Sequence, residues 1–431
     1  MPRRLSAKDR DFTTQFKAVV DSRRDTDEDV SKVVREIIDT VRRDGDKALI
    51  GYSHRFDGVE LVPGTLGVSA ADIDAAERAA STEVKDALRF AASRIEAYHK
   101  RQLPNDESFT DAAGAKLGWR WRPLDSVGLY VPGGTASYPS SVLMNAVPAR
   151  VAGVSRIVMV TPASGGAINP LTLVAAKIAG VSEIYRVGGA QAVAALAYGT
   201  DTIKAVDKIV GPGNAYVAEA KRQVFGHVGI DSIAGPSEIL IVADGANNPA
   251  WTAADLLSQA EHDPSSQSIL ITDDANFAAL VASEVERQLK LLPRREIAAR
   301  SWNDHGAVII VETLADAAPL VDMIAPEHLE IATEDPGAFV NLVKHAGAAF
   351  LGRHTPEVVG DYVAGPNHVL PTSRTARFSS GLSVLDFMKR TTLLACDPDA
   401  LASLGPPALA LAKAEGLAAH GRSIAIRLNL K

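Results

Sequence analysis

From residue 69 to residue 102 the chain alternates Ala, Ile, Leu and Phe with charged residues at helical spacing, and few breakers interrupt the pattern. The first hundred or so residues therefore read as mainly helical. From Val127 onward the character changes, and short β-rich runs alternate with segments of helix length. Residues 127–131, 157–160, 183–187 and 208–210 predict strands, and 141–153, 170–179, 191–198 and 215–225 predict helices between them. This alternation argues for a parallel sheet flanked by helices. A second series follows: a strand at 238–243, a helix over 249–262, a strand at 268–272 and a long helix ending near Leu292. A strand at 307–311, a helix to Ile324 and strands at 328–332 and 348–351 continue it. The glycine-containing stretch Ile233-Ala234-Gly235-Pro236-Ser237 separates the two series.

The tail from Gly405 predicts one helix to about His420. An alternating strand then follows through Ile424, Ile426, Leu428 and Leu430. Such a strand is too short to fold alone, so it must dock elsewhere.

Composition adds constraints. The chain has 431 residues, enough for two or three domains at roughly 150 residues each. Apolar residues make up 46% and charged residues 23%, proportions that allow large cores. A net charge of −7 and no local Lys/Arg run argue against a nucleic-acid groove. The single cysteine, Cys396, excludes an internal disulfide and a multi-cysteine metal site, and points to a reducing compartment. Asp9, Arg10 and Asp11 fall where a secretion signal needs its apolar core. No run approaches the ~20 apolar residues of a membrane span. The expectation is a cytoplasmic protein without membrane or nucleic-acid partners.

Candidate chemistry gathers in a few places. Asn248 can cap the 249–262 helix, Pro249 suits its first turn, and Asp263-Pro264 ends it. Trp251, Ala254 and Leu257 form an apolar stripe, while Asp255, Ser258, Gln259 and His262 share a polar face. Gln259 and His262 can thus point at one metal ion, although by spacing alone a solvated polar face is the more ordinary reading. Glu327-His328 precedes a strand and offers a carboxylate and an imidazole for acid/base work. At a strand mouth, the pair would sit where α/β domains place catalysis.

Asp361 and His368 lie in a Gly/Pro-punctuated loop over 360–368, as ligands or turn residues. Glu415 and His420 are five apart on the expected tail helix, about 140° around it. Three glycine-rich strand exits, at 128–134, 187–191 and 210–214, could line a crevice for a phosphate-bearing ligand. None carries the G-x-G-x-x-G fingerprint.

Together these segments resemble histidinol dehydrogenase over nearly the whole chain. The resemblance is carried by Val131-Pro132-Gly133-Gly134, Val210-Gly211-Pro212-Gly213-Asn214-Ala215, Ala234-Gly235-Pro236-Ser237-Glu238, Leu256-Leu257-Ser258-Gln259-Ala260-Glu261-His262, Pro326-Glu327-His328-Leu329 and Asn367-His368-Val369-Leu370-Pro371-Thr372. It implies one zinc per subunit held by Gln259, His262, Asp361 and His420, with Glu327 and His328 as the acid/base pair. It places Ser237, Gln259, His262, His328, Asp361, Glu415 and His420 around L-histidinol, and Tyr130, Gln191 and Asn214 at NAD. The implied activity is oxidation of L-histidinol to L-histidine via histidinal with two NAD⁺, the last step of histidine biosynthesis.

The implied assembly is a homodimer in which the C-terminal segment completes the partner's site. The implied fold is two similar Rossmann-like α/β domains with parallel sheets and small terminal helical extensions. Its expected parts are an N-terminal extension at 1–25, a metal and acid/base domain of 26–129 with 238–381, an NAD domain at 130–237, and a C-terminal extension at 382–431. A related zinc/NAD alcohol dehydrogenase acting on a sulfonated diol or similar small polar alcohol is the neighbouring alternative. Ser237 and Glu415, which the resemblance assigns to the substrate's polar groups, favour histidinol. A zinc hydrolase would lack H-E-x-x-H here and would not need the strand-exit glycines.

Overall fold

The computed structural model describes residues 2–21, 28–133 and 138–430. Gly134 of the first glycine-rich stretch and the expected boundary at 25/26 lie outside the described residues.

Two parallel sheets dominate, and their strand orders match. The five-stranded sheet runs Glu183–Tyr185, Arg156–Val160, Ser126–Tyr130, Lys208–Val210, Gly229–Ile230 across its width, with every pair parallel. Numbered along the chain, that is 3-2-1-4-5. The second sheet runs Ala307–Ile310, Gln267–Thr272, Glu238–Ala243, His328–Ala332, Ala348–Leu351, again 3-2-1-4-5 and parallel. Each sheet thus has a switch point beside its first strand, where the winding reverses. All six residues of Glu238–Ala243 and of Gln267–Thr272 are buried, as expected of strands covered by helices on both faces. Alternation divides them: Ile239 and Ile241 enter one core, Leu240 and Val242 the other. The same alternation puts Leu129 and Tyr130 in two different cores.

Several expectations are corrected. The N-terminal extension is not purely helical. Arg3–Ser6 adds a sixth, edge strand parallel to Ala307–Ile310, and only then does the helix Phe12–Asp21 follow, burying Phe16 and Val19. Four residues of RRLS carry no alternation of their own, so only the partner strand could reveal them.

The helices expected with the 238–381 sheet pack on the other sheet. Val34, Ile37 and Leu49 join Val158 and Val160, and Leu88 and Ile95 join Val127 and Leu129. Periodicity shows that a helix has a buried face, not which sheet will cover it. A boundary at 129/130 would also cut the strand Ser126–Tyr130.

A small antiparallel sheet of Glu107–Thr110, Lys116–Pro123 and Met388–Ala395 was not expected. It ties the tail to the middle of the chain. The tail is a helix pair, Pro398–Ala414 and Ala418–Arg427, not a helix and a strand. Alternation at 424–430 misleads because Ile424 and Leu428, one helical turn apart, are the residues that matter. Both lie against Gly405, where a Cβ would come within 2.4 Å of Leu428.

A candidate active site on one sheet and a glycine-lined crevice on the other

Glu327 and His328 stand at the start of the strand His328–Ala332, beside the central strand Glu238–Ala243. The strand mouth is therefore at the amino ends of the strands. The expectation of the usual carboxyl-end position does not hold.

Both residues bind the backbone of Glu238. The Glu327 carboxylate accepts from the Glu238 N–H at 2.9 Å, and His328 Nδ1–H donates to the Glu238 carbonyl at 2.9 Å. This fixes the ring and leaves Nε2 as its free nitrogen. Nε2 has no hydrogen-bond partner, but lies 3.5 Å from Asp361 Oδ1 and 3.7 Å from Glu357 Oε1. Gly347 lets the chain pass this close, since a Cβ there would sit 2.5 Å from the Glu327 carbonyl oxygen.

The electrostatics follow from crowding acids into a dry place. Burial pushes the Glu327 carboxyl up to about 8 despite the neighbouring imidazole. Burial likewise raises Glu357 to about 7. Burial opposes a charge on His328, but Glu357, Glu327 and Asp361 outweigh it and raise its pKa well above the ordinary value. Asp361 stays below the usual carboxylate range: burial opposes its charge, yet the nearby His328 ring, 3.5 Å away, favours it. Behind this group Glu330 accepts from the Glu357 N–H at 2.7 Å, and burial also raises Asp255 to about 6.

Asp361 lies in a single π-helical turn, Gly360–Ala364, after the short helix Glu357–Val359. Such turns often mark functional positions. Its carbonyl accepts from His368 Nδ1–H at 3.0 Å, and His368 Nε2 meets Ser141 Oγ at 3.2 Å. Asn367 donates to the Met144 carbonyl at 2.6 Å. The Asp361 turn is thus tied to the helix Pro139–Ala152 of the five-stranded sheet. His368 serves this structural link.

The helix Pro249–Ala260 ends one residue before Glu261, its C-cap, so His262 sits in the turn beyond it. The expected apolar stripe holds only at Leu257: Trp251 is half exposed and Ala254 exposed, while Thr252, Ala253, Leu256, Leu257 and Gln259 are buried. Gln259 is fully buried with both amide atoms unpartnered. His262 is open to solvent on one side. The protein crowds its other sides enough to lower its pKa, and Asp361 and His328 act on it. Ser237, half-buried, precedes Glu238, and its carbonyl accepts from the Gln267 N–H. Glu415 and His420 are both exposed, Glu415 capping the end of the first tail helix and His420 lying on the second, rather than both on one helix.

The structure therefore gathers Ser237, Glu327, His328, Asp361 and His262 at one edge, with Gln259 on the adjoining helix. It leaves Glu415 and His420 outside. The donor atoms of His328, Glu357 and Asp361 lie within 4.8 Å of one another. Glu357 escaped the sequence reading, although its spacing of four from Asp361 was a usable signal.

A cation fits this edge. Acids outnumber the one imidazole between them, and the Gln259 amide has no protein partner, a condition costly to leave unmet. The edge also receives the carboxyl end of the Pro249–Ala260 helix, whose dipole favours positive charge.

On the five-stranded sheet the three glycine-rich exits converge on Tyr130. Its hydroxyl accepts from the Gly189 N–H at 3.0 Å, and burial pushes its pKa up to about 12. Gln191 is buried with Oε1 unpartnered. Asn214 caps the helix Ala215–Val224, accepting from Tyr216 and Val217 N–H. Helices begin at 139, 189 and 215, so their positive ends lie at the carboxyl edge of this sheet, as an anionic ligand would require.

The model of the histidinol dehydrogenase family matches residues 20–428. Histidinol dehydrogenase from Rhizobium meliloti (strain 1021) is 64% identical over 427 residues, covering 99% of this chain and 98% of that one. The enzyme of the same name from Mesorhizobium japonicum is 64% identical, with 99% of each chain covered. The crystal structure of histidinol dehydrogenase from Elizabethkingia anophelis superposes with a TM-score of 0.95 at 37% identity, covering 99% of this chain and 98% of that one.

Proposed function

The chain belongs to the histidinol dehydrogenase family and is an oxidoreductase, and from that premise we propose that it oxidises L-histidinol to L-histidine through histidinal, with two NAD⁺ and one zinc. This would be the last step of histidine biosynthesis, carried out in the cytoplasm. The observation that carries the proposal is the buried Glu327–His328 pair, held on the Glu238 backbone with His328 Nε2 unpartnered. Gln259, His262 and Asp361 would hold the metal, with His420 supplied by the tail. When bound, zinc would supply a Lewis-acidic centre that anchors the substrate's amine and imidazole.

The protein's own residues have separable tasks. His328, fixed at Nδ1 by the Glu238 carbonyl and raised above the ordinary imidazole value by the acids around it, takes the alcohol proton at Nε2, once that nitrogen has given up its own, as hydride departs to NAD⁺. Glu327, raised to about 8, is tuned close to working pH, where a general base is most effective. It activates water on the aldehyde, and His328, having released the first proton to solvent, takes the hydrate's hydroxyl proton as the second hydride leaves to the second NAD⁺. Ser237 and Glu415 contact the substrate's polar groups. Tyr130, Gln191 and Asn214 line the nucleotide crevice of the five-stranded sheet.

A homodimer is the assembly that suits the tail. Glu415 and His420 are exposed, as are Leu411, Leu417 and Ile426 around them, so a second copy would complete the site and cover these apolar residues. The domains we propose are the six-stranded sheet with its helices for metal and acid/base work, and the five-stranded sheet with its helices for NAD. The deciding experiment gives purified protein histidinol and NAD⁺ and follows NADH with and without a chelator. Two NADH per histidinol, lost on metal removal, is the expected result, and one or none overturns the four-electron reaction.

A further inference from the structure

The five-stranded sheet contains a buried ion pair that the chemistry above does not use. Lys221 lies on the helix Ala215–Val224, and Asp231 directly follows the last strand, Gly229–Ile230. Their side chains are only 2% and 4% exposed. Lysine is almost never so buried without dedicated partners. Lys221 Nζ donates to the Gly211 carbonyl at 3.0 Å and pairs with Asp231 Oδ1. Asp231 Oδ2 accepts from the Gly211 N–H at 2.8 Å. Both backbone polar groups of one glycine are therefore held by the two ends of one ion pair.

Gly211 is the first glycine of the third strand exit. Its φ of +106° suits glycine alone, and a Cβ there would lie 2.2 Å from the Tyr130 carbonyl oxygen. The turn is thus pressed onto Tyr130 at one end and runs three residues to the cap Asn214 at the other. A shift of Gly211 would move both. Stability alone does not call for charges here, because a buried ion pair is often no better than an apolar pair of the same size. A bidentate grip on one peptide unit does specify its position.

We infer that Lys221 and Asp231 are positioning residues for the nucleotide, presetting the 211–214 turn against Tyr130 before NAD⁺ arrives. This rests on the reading of the five-stranded crevice as the nucleotide site.

The test compares the full-length protein with Lys221→Met and with Lys221→Met/Asp231→Asn. The double variant removes both charges but keeps an acceptor for the Gly211 N–H. NADH binding is followed by fluorescence titration, steady-state kinetics by varying each substrate, and folding by thermal melting. In variants that melt cooperatively, the dissociation constant for NADH and KM for NAD⁺ should rise about tenfold or more, with kcat and KM for histidinol within about twofold. NADH affinity within about twofold of wild type in the folded double variant overturns the inference. So does an equal loss in kcat and in both KM values, which signals general loosening. If Lys221→Met does not fold, the double variant decides. Wild-type protein that fails to bind NADH removes the nucleotide reading itself, and the inference falls with it.

Discussion

The two sheets share one strand order and use opposite edges. In the five-stranded sheet the carboxyl ends carry the glycine turns: Gly189 and Gly211 bring backbone close to Tyr130, and helices begin there. In the six-stranded sheet the corresponding crevice is filled. Asn247 donates to the carbonyls of Asp244 and Ala332 at 3.0 and 2.6 Å, spanning the two strands that flank the switch point. Arg353 pairs with Asp244 at 2.6 Å behind it. The buried acids instead gather at the amino edge, where the Pro249–Ala260 helix ends. The helix dipole explains the division: in a β-α-β winding, helices start at carboxyl edges and finish at amino edges. An anionic nucleotide is favoured at the first and a cation at the second.

The most damaging test of that division is Glu327→Gln. Acid formation from histidinal should fall by about 10²–10⁴-fold while NADH titrates as in wild type. A full rate from histidinal would remove the water-activating role. Next, Gln259→Leu should weaken metal binding beyond the ~10–100-fold typical of outer-shell changes. Metal content after dialysis measures this, and unchanged NADH affinity would show the two edges to be independent. Undiminished zinc would exclude Gln259 as a ligand.

A smaller effect is expected from Asn247→Ala. Losing the bridge across the filled crevice should cost about 1–3 kcal/mol, read as a lower urea midpoint with kcat unchanged. A drop in kcat would mean that this edge serves the chemistry after all.

The mildest effect is on pH dependence in the metal-free chain. Glu327 and Glu357, at about 8 and 7, hold protons in the folded chain that the unfolded chain releases near 4.5. His328, raised above 6.5, acts in the same direction. Stability should therefore be highest near pH 5 and decline through pH 7–8, as thermal melting across that range would show. Rising stability toward pH 8 would contradict the burial of these acids.

Much of the fold was legible because the strands are two-sided hydrophobic runs and the helices carry caps. Asn248 and Asp274 accept from the helix N–H groups they precede, and the first of these helices starts at Pro249, where the pattern puts it. Errors arose where no local signal exists. Arg3–Ser6 becomes a strand only by pairing, and the 388–395 strand is mostly exposed. Residues 424–430 fit two periods equally well. Glu357 was missed because a glutamate after a proline reads as an ordinary helix start.

By itself the sequence determined most elements of the two parallel sheets, the alternation of two α/β series, the family and the residue types available for acid/base and metal chemistry. These depend on local periodicity and on motifs, which survive without coordinates. Tertiary structure decided which sheet each N-terminal helix covers and that Glu327 and His328 both grip Glu238. It also gathered Glu327, His328, Glu357 and Asp361 at the amino edge and left Glu415 and His420 exposed on the tail. Those outcomes depend on contacts between residues up to a hundred or more positions apart and on burial, which shifts a glutamate from 4.5 to about 8. No linear pattern encodes the dielectric around a side chain.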